Sequence, residues 1–393
     1  MLFAGFLWGI LFYFIAFMLS LWLYRSYSPM YKNIIFIIFI SGVGHFFGTY
    51  LYSFLPSDSI DQFFPGANPF FSGVGTDFIE NIVWYVRDWL TGDSLLGTFY
   101  FFSAFAFLGS VLWYLLFLRC SQFLNIENQK RIFPALVIIC WPSFFLFTAG
   151  MGKDSLSFFL IPLTLLLWDR FFYQRKNRLV TLTVLALSVV FMAMIRPYLL
   201  IIFVGAYYFS TFKGLRELSF FRVVGIVILI PVVLYVMRWV VITQGGLQDL
   251  QLMNIAQHAV LQQSRLDTGT SFSILSSNPY ILLLMLPYSF FMNLVMPLFF
   301  FSNNVSGILA SIENVFLVWL LYDFWRQRRL FKIIKSRFSL IRIAFYFFLI
   351  GMMFLGLINT NLGLAMRQKS MYVPAFLVVA MLTWLYKKQR GIR

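Results

Sequence analysis

The sequence predicts an all-α fold, a polytopic transmembrane helix bundle, and three observations carry that prediction. Hydrophobic residues make up 61% of the 393 residues and charged residues only 11%, whereas soluble domains are about 25% charged. Apolar segments of the length that a bilayer requires, roughly 20 residues, recur from one end of the chain to the other. Most basic residues are gathered between those segments. We therefore expect a single integral membrane domain over residues 1–393.

The basic residues predict the orientation of these segments. The net charge is +16, and 23 of the 30 Lys and Arg residues fall in alternate connections between apolar segments. Cytoplasmic loops are enriched in Lys and Arg, so we assign these connections to the cytoplasmic side and expect no nucleic-acid partner. The amino terminus is then outside, the carboxyl terminus is inside, and about 11 spans are predicted. These spans lie near 2–24, 34–55, 98–118, 133–150, 156–172, 179–195, 199–211, 223–243, 308–325, 339–358 and 371–386.

One apolar segment, 280–301, is predicted to be re-entrant or interfacial. Counting it as a full crossing would move the basic loop at 326–342 to the outer side. Its Pro287 and Pro297 interrupt a regular helix, and broken backbone at membrane depth is tolerated only where protein or water satisfies it. The alternative is a proline-kinked full span, with one of the other spans wrong.

Two long outer loops are predicted, at 56–97 and 244–280. The first contains a helical pattern from Asp77 to Leu90 that carries Trp84 and Trp89 beside charged side chains, as in an interfacial helix. The second is polar and contains His258 and Arg265. It fits either a mobile lid over an outward cavity or a plain connecting loop.

Seven basic residues escape the positive-inside pattern and fall in or near outer loops. Lys153 and Arg196 occupy very short connections, where a charge at the membrane boundary is costly unless it is paired or wet. We therefore predict a shared outward cavity, with snorkelling to lipid phosphates as the alternative for each residue singly. Such a cluster could hold a lipid-linked phosphate or diphosphate. The seven are Arg87, Lys153, Arg196, Arg238, Arg265, Arg367 and Lys369.

Three acidic residues are candidates for the catalytic role. Asp77 and Asp154 have the tightest positional constraint and could deprotonate or orient an acceptor hydroxyl. Glu313 lies in an apolar span, where an acid must be neutral, paired or facing water, and we place it beside the basic cluster. Other acids of the first outer loop, Asp58, Asp61, Glu80, Asp88 and Asp93, are expected to be solvated. No nucleotide or metal motif is present, so neither a cofactor nor a metal is predicted.

Four segments together resemble polytopic polymerases of bacterial surface polysaccharides, the O-antigen (Wzy) type, and related GT-C-like membrane glycosyltransferases. They are Gly-Thr-Asp at 75–77, Trp-Pro-Ser followed by Gly-Lys-Asp-Ser within 141–155, Arg-Pro-Tyr at 196–198, and Asn-Leu-Gly-Leu-Ala-Met-Arg-Gln-Lys at 361–369. The resemblance implies a GT-C-like core, a lipid-diphosphate-linked glycan as substrate, an extracytoplasmic arginine-rich site, and glycosidic bond formation without a metal. The chain departs from metal-using GT-C enzymes because Asp77 is followed by Phe78 rather than by a second acid.

The hypothesis is therefore a polymerase that joins undecaprenyl-diphosphate-linked repeat units at the outer face of the bacterial inner membrane. Its predicted partners are lipid-linked oligosaccharide, membrane lipids and a chain-length regulator protein. Alternatives are a polyprenyl-phosphate-sugar-dependent GT-C glycosyltransferase that decorates a glycan, and a lipid-linked glycan transporter or flippase. The predicted catalytic residues are Asp77, Asp154 and Glu313, and the predicted substrate-binding residues are Lys153, Arg196, Arg265, Arg367, Lys369, Arg87, Tyr198 and His258.

Overall fold

The computed structural model describes residues 2–28, 31–54, 74–126, 131–175, 177–211, 286–297, 305–358 and 362–390. Over these residues the chain is helical, with turns and no strand, which confirms the predicted all-α class. The helices are α1 Leu2–Tyr27, α2 Lys32–Tyr52, α3 Thr76–Tyr85, α4 Leu95–Phe123, α5 Ile132–Ile139, α6 Pro142–Phe147, α7 Lys153–Asp169, α8 Arg178–Ile195, α9 Pro197–Ser210, α10 Leu286–Val295, α11 Val305–Arg326, α12 Arg328–Arg337, α13 Ser339–Ile358, α14 Leu362–Lys369 and α15 Val373–Gln389. Short π-helical turns, Val86–Thr91 and Arg170–Gln174, extend α3 and α7.

Five segments of the described chain are long and apolar enough to cross a membrane, by length and composition. Shorter apolar helices follow at Ile132–Phe147, Pro197–Ser210 and Ser339–Leu355. The chain is thus a multi-pass membrane protein, and the full number of 11 spans stays a prediction. The predicted span 223–243 lies outside the described residues. The five are Phe3–Tyr27, Lys32–Tyr52, Leu95–Phe123, Lys153–Gln174 and Arg178–Ile195.

The chain divides into two compact units, Met1–Arg196 with Leu377–Arg393, and Pro197–Phe376. Helix α4 forms the core of the first unit, where nearly all of its side chains are buried. Helix α1 instead leaves large apolar side chains such as Phe3, Phe14 and Trp22 exposed. This is the division expected of a lipid-immersed bundle, since lipid is as apolar as the protein interior.

Helices α1, α4 and α7 run in the same direction within the first unit. Gly9 of α1 lies against Tyr100 of α4, and a later residue of α1, Tyr24, stacks on Tyr114. Phe105 of α4 contacts Phe159 near the start of α7. At the other end, Arg119 of α4 pairs with Asp169 of α7, its Nε 2.7 Å from Oδ2. The first unit therefore has two distinct ends, one at the starts of α4 and α7 and one at their last turns.

The predicted span 133–150 is divided into α5 and α6. Trp141 is extended, with ψ 120°, and Pro142 begins α6. The residue before a proline is driven out of the helical region by the proline ring, which accounts for the break. Helix α6 packs very closely on α2, because a Cβ on Gly48 would lie 2.3 Å from the carbonyl oxygen of Phe145.

In the second unit, α13 packs against both α9 and α10. The segment predicted to be re-entrant contains α10, a helix of 10 residues, which ends just before the buried Pro297. Ten residues rise only about 15 Å, half of a bilayer core. Residues 280–285 and 298–301 lie outside the described residues, so the re-entrant path itself stays a prediction.

The basic loop predicted at 326–342 contains a helix, α12. Its Phe331 and Ile334 are buried, whereas Lys332 is exposed. The apolar positions recur at the three- and four-residue spacing of an amphipathic helix. The high charge of this segment predicts a loop, whereas its apolar spacing accounts for the observed helix.

Candidate functional site

Two helices of the first unit begin with the same pattern, Gly-X-Asp. Gly75 precedes α3 and Gly152 precedes α7, with φ angles of 76° and 137°. Such positive φ angles favour glycine, which lacks the Cβ that would clash there. Asp77 and Asp154 then lie in the first turns, where the helix macrodipole favours a negative charge.

The starts of these two helices lie within reach of one lysine side chain. Lys153 donates a hydrogen bond from Nζ to Thr76 Oγ1 at 2.7 Å. The backbone N–H of Gly75 donates to the carbonyl oxygen of Met194 at 2.7 Å, which ties α3 to the last turn of α8. Backbone N–H groups at helix starts attract anions, and Lys153 adds a full positive charge. These N–H groups and Lys153 can contact an anion, and the carboxylates of Asp77 and Glu80 lie beside them.

Asp154 and Arg196 form a buried ion pair beside this cluster. They are 3% and 5% exposed, and Arg196 donates from Nη2 to Asp154 Oδ1. The pair joins the first turn of α7 to the residue that ends α8. Removing one partner of such a pair leaves a buried charge uncompensated, so the pair strongly favours this arrangement of the two helices.

Two carboxylates complete the cluster on α3. Asp77 is exposed, and Glu80, three residues later, lies on the same helix face and is half-buried. Burial and the charge of Asp77 raise the pKa of Glu80, while Lys153 lowers it. Glu80 is therefore partly solvated, and its carboxyl group also interacts with both residues.

Arg87, a predicted substrate-binding residue, lies further along this segment between two carboxylates. Its Nε is 2.7 Å from Asp88 Oδ1 and 3.2 Å from Asp93 Oδ1. These contacts form within one turn region, which ends in the left-handed Gly92 and Asp93. Arg87 thus contacts two carboxylates of the turn that follows α3, rather than lying beside Lys153.

The second unit contains the other described candidates. Lys369 is buried and donates from Nζ to the carbonyl oxygen of Leu294, at 2.9 Å, and to Asn314 Oδ1. Asn314 in turn donates to the carbonyl oxygen of Pro297 at 3.1 Å. Lys369 therefore interacts with the last turn of α10, where the macrodipole favours a cation.

Glu313 is half-buried on α11, close enough to Lys369 to interact with it electrostatically. Arg367 is half-buried on α14, and its carbonyl oxygen accepts a hydrogen bond from Ser370 Oγ at 2.7 Å. Tyr198 is half-buried and stacks on Phe354, with ring centroids 5.7 Å apart.

The predicted site residues thus fall into two described groups. Asp77, Lys153, Asp154 and Arg196 come together in the first unit, and Glu313 and Lys369 come together in the second. Arg265 and His258 lie outside the described residues. The sequence does not predict Thr76 as a partner of Lys153 or the grouping of Glu80 with Asp77, although the three-residue spacing of Asp77 and Glu80 on a predicted helix is a signal for the latter.

No model of a known protein family, no curated protein and no solved structure matches this chain.

Proposed function

We propose that this protein is a membrane glycosyltransferase, a polymerase that joins undecaprenyl-diphosphate-linked repeat units at the outer face of a bacterial inner membrane. The proposal includes the eleven-span topology, which puts the starts of α3 and α7 on the outer side. The observation that carries it is the cluster of Lys153, Thr76, Asp77 and Glu80 at those two helix starts.

Lys153 supplies the positive charge that stabilises the leaving diphosphate. As an acceptor hydroxyl attacks the anomeric carbon of the donor, the bond from that carbon to the diphosphate oxygen breaks and negative charge builds on the diphosphate. An ammonium group and the N–H groups of two helix starts stabilise that charge. The half-exposed position of Lys153 leaves it accessible from the surface.

Asp77 is the general base in this proposal. Its carboxyl group is exposed, and a carboxylate placed beside the acceptor hydroxyl can accept the proton that this hydroxyl loses. Glu80, with its raised pKa, lies beside it and can share that proton. Products are the extended glycan on its lipid carrier and undecaprenyl diphosphate, with the proton on a carboxylate.

Asp154 and Arg196 take a positioning role in this scheme. The sequence assigned them to the acceptor hydroxyl and to the diphosphate, but each engages the other in a buried pair. The pair fixes the start of α7, and with it Lys153, relative to the end of α8. A separate backbone hydrogen bond from Gly75 to Met194 ties the start of α3 to the same helix end.

Gel analysis of surface glycan tests the proposal. A strain that lacks this chain should carry only single-repeat material, and wild type should restore long chains. Asp77→Asn should fail to restore them at normal protein level, whereas Asp88→Asn, the matched exposed carboxylate, should succeed. Long chains of altered composition in the deletion strain would favour the decorating transferase, and lipid-linked units retained on the cytoplasmic side would favour a transporter.

A further inference from the structure

The junction between α11 and α12 presents three arginines to the surface. Arg326 is the last residue of α11, and Arg328 and Arg329 are the first two residues of α12; all three are exposed. The rings of Phe324 and Phe331 contact each other across the junction, with centroids 4.8 Å apart, and so hold the two helices together there. We call Arg326, Arg328 and Arg329 the arginine surface.

Two aromatic rings of α11 fix the position of two of these guanidinium groups. The Cζ atom of Arg326 lies 5.9 Å from the ring centroid of Tyr322. That of Arg328 lies 5.7 Å from the ring centroid of Trp325. Tyr322 and Trp325 are three residues apart, so they are neighbours on the helix surface, and each is 60% exposed. The two guanidinium groups therefore lie at the surface over adjacent aromatic rings.

Other cations of the same charged segment are held by acceptors inside the second unit. Lys335 donates from Nζ to the hydroxyl of Tyr346 at 2.6 Å. Arg342 donates from Nε to the carbonyl oxygen of Ser210, at 2.6 Å, and from Nη1 to that of Lys335, at 2.9 Å. The arginine surface differs from Lys335 and Arg342, because its side chains are exposed to the surroundings of the protein.

The chain carries more positive than negative charge around the arginine surface. No Asp or Glu follows Asp323 in the sequence. The connection 212–222, which the positive-inside pattern places at the same end of the second unit, lies outside the described residues; its sequence contains three basic residues and one acid, Glu217. The arginine surface therefore attracts anions. The other acids of the second unit fall in the predicted outer loop or in the first half of α11, and they are Asp249, Asp267 and Glu313.

An exposed apolar stripe of α11 leads to the arginine surface. Its side chains recur every three or four residues, so they lie on one face of the helix, and each is 44% to 60% exposed. The helix rises about 21 Å along the stripe, which is longer than the apolar part of one bilayer leaflet, about 15 Å. Arg326 continues the same spacing after the last member. The stripe consists of Ile308, Ile312, Val315, Trp319 and Tyr322.

We propose that the stripe and the arginine surface together bind anionic phospholipids, with an acyl chain along the stripe and the headgroup phosphate on the arginines. Guanidinium groups donate two parallel hydrogen bonds to phosphate oxygens, and a headgroup with a net negative charge matches the charge of the surface. The exposed Trp325 lies where the stripe meets the arginines, and Trp is enriched at membrane interfaces. A soluble polyanion would match the charge but not the stripe. The inference rests on residues that the proposed function does not use.

The end of α15 offers a matched comparison within the chain. Lys388 and Arg390 are exposed there. Lys388 Nζ lies 5.1 Å from the ring centroid of Trp384, and Arg390 Cζ lies 4.8 Å from that of Tyr386. Residues 373–383 of the same helix are all buried, so no exposed apolar stripe leads to this pair. The pair at the end of α15 thus has charges and rings but lacks the stripe.

Thermal unfolding of the purified full chain in an uncharged detergent tests the proposal. The probes are phosphatidylglycerol, phosphatidylcholine with the same acyl chains, and inorganic triphosphate. A ligand that binds only the folded protein raises the melting temperature. Phosphatidylglycerol should raise it more than phosphatidylcholine does, and this excess measures the binding of the anionic headgroup. Inorganic triphosphate, which has no acyl chain, should have a smaller effect than phosphatidylglycerol.

Variants connect the excess to the arginine surface. Arg326→Gln with Arg328→Gln should lose at least about half of it, because each basic residue near a membrane surface strengthens the attraction of anionic lipid about fivefold. Lys388→Gln with Arg390→Gln should keep most of it. All four side chains are exposed, so both double variants are expected to fold.

Three results would overturn the proposal. In the first, phosphatidylcholine stabilises wild type as much as phosphatidylglycerol does. In the second, the two double variants lose the same share of the excess, which would mean that basic charge alone attracts the lipid. In the third, triphosphate stabilises wild type as strongly as phosphatidylglycerol and through the same arginines, which would identify a soluble polyanion as the occupant.

Discussion

Lys153 and Lys369 both escape the positive-inside pattern, yet their surroundings are opposite. Lys153 lies at the starts of two helices, is half-exposed and donates to a threonine hydroxyl. Lys369 is buried at the end of α10 and donates to a backbone carbonyl and an asparagine oxygen. A cation at a helix end satisfies the macrodipole, whereas a cation at helix starts concentrates positive potential. The comparison teaches that Lys369 donates to acceptors inside the protein, while Lys153 is accessible from the surface, where an anion could reach it.

The largest expected effect on stability comes from the buried Asp154–Arg196 ion pair, which lies next to Lys153 in the chain. Asp154→Asn leaves the buried Arg196 without its counter-charge and should destabilise the protein by about 3–5 kcal/mol. Denaturation of the purified protein in detergent measures the loss. Asp88→Asn, whose carboxylate is more exposed, is the control and should cost less than about 1 kcal/mol. Equal losses in the two variants would contradict a structural role for the Asp154–Arg196 pair.

The functional side of the comparison rests on Lys153. Under the proposed polymerase function, Lys153→Gln should reduce polymer formation about 10- to 100-fold, because the variant would lose the proposed charge-assisted contact to the diphosphate. Quantified gels of surface glycan, normalised to protein level, measure it. Lys332→Gln removes a lysine at an exposed position of α12 and should leave chain length unchanged. Full polymer length in Lys153→Gln would remove this residue from the site.

A pH series tests the surroundings of Lys369 in the folded protein. Burial lowers the pKa of Lys369 to about 7, with Glu313 opposing the shift. Between pH 7 and pH 10.5, the ordinary pKa of lysine, the unfolded chain therefore binds more protons than the folded protein does. The free energy of unfolding should rise with pH in this window. The stability of wild type relative to Lys369→Met should therefore rise from pH 7 to pH 9.5, as followed by melting temperature.

Lys332→Met is the control for that series, since it removes one lysine from an exposed position. Its gap from wild type should change less over the same range than the gap of Lys369→Met. If the difference in melting temperature between wild type and Lys369→Met stays constant over this range, the amine of Lys369 stays charged in the folded wild-type protein.

The smallest expected effect concerns Glu80. Its pKa is raised in the folded protein by burial and by Asp77, so the folded state loses stability as pH rises through that pKa. Glu80→Gln should therefore melt slightly higher than wild type near neutral pH, with the difference vanishing in acid. Asp93→Asn, at an exposed carboxylate, serves as the matched variant. A lower melting temperature for Glu80→Gln at neutral pH would contradict the shift.

The sequence predicts those features that depend on local patterns. Helices α1, α2 and α8 begin and end within a few residues of the predicted spans, because continuous apolar runs between basic residues mark them. The break between α5 and α6 was missed, although Trp141-Pro142 is a local signal for it. The sequence does not predict helix α12, because the high charge of the segment masks its apolar spacing.

The candidate site was predictable in its members but not in its contacts. Asp154 and Arg196 are 42 residues apart, and only the packing of α7 on α8 makes them a pair. The bond from Lys153 to Thr76 depends likewise on α3 folding back onto the end of α8. Residue type and position in a short connection identify such candidates, but no local pattern tells a substrate ligand from a buried counter-ion.

The contact between Gly48 and Phe145 has a consequence for the tolerance of this protein to change. A Cβ at position 48 would lie 2.3 Å from the carbonyl oxygen of Phe145, so any larger side chain must push α6 outward. A normal carbon-to-oxygen contact would require a displacement of about 1 Å. The connection after α6 leads directly to Gly152 and Lys153. Shifts of that size at a reactive group can slow an enzyme by about 10²-fold. The lack of a side chain at Gly48 thus permits the close packing of α6 on α2, and a larger residue there should displace the segment that leads to Lys153.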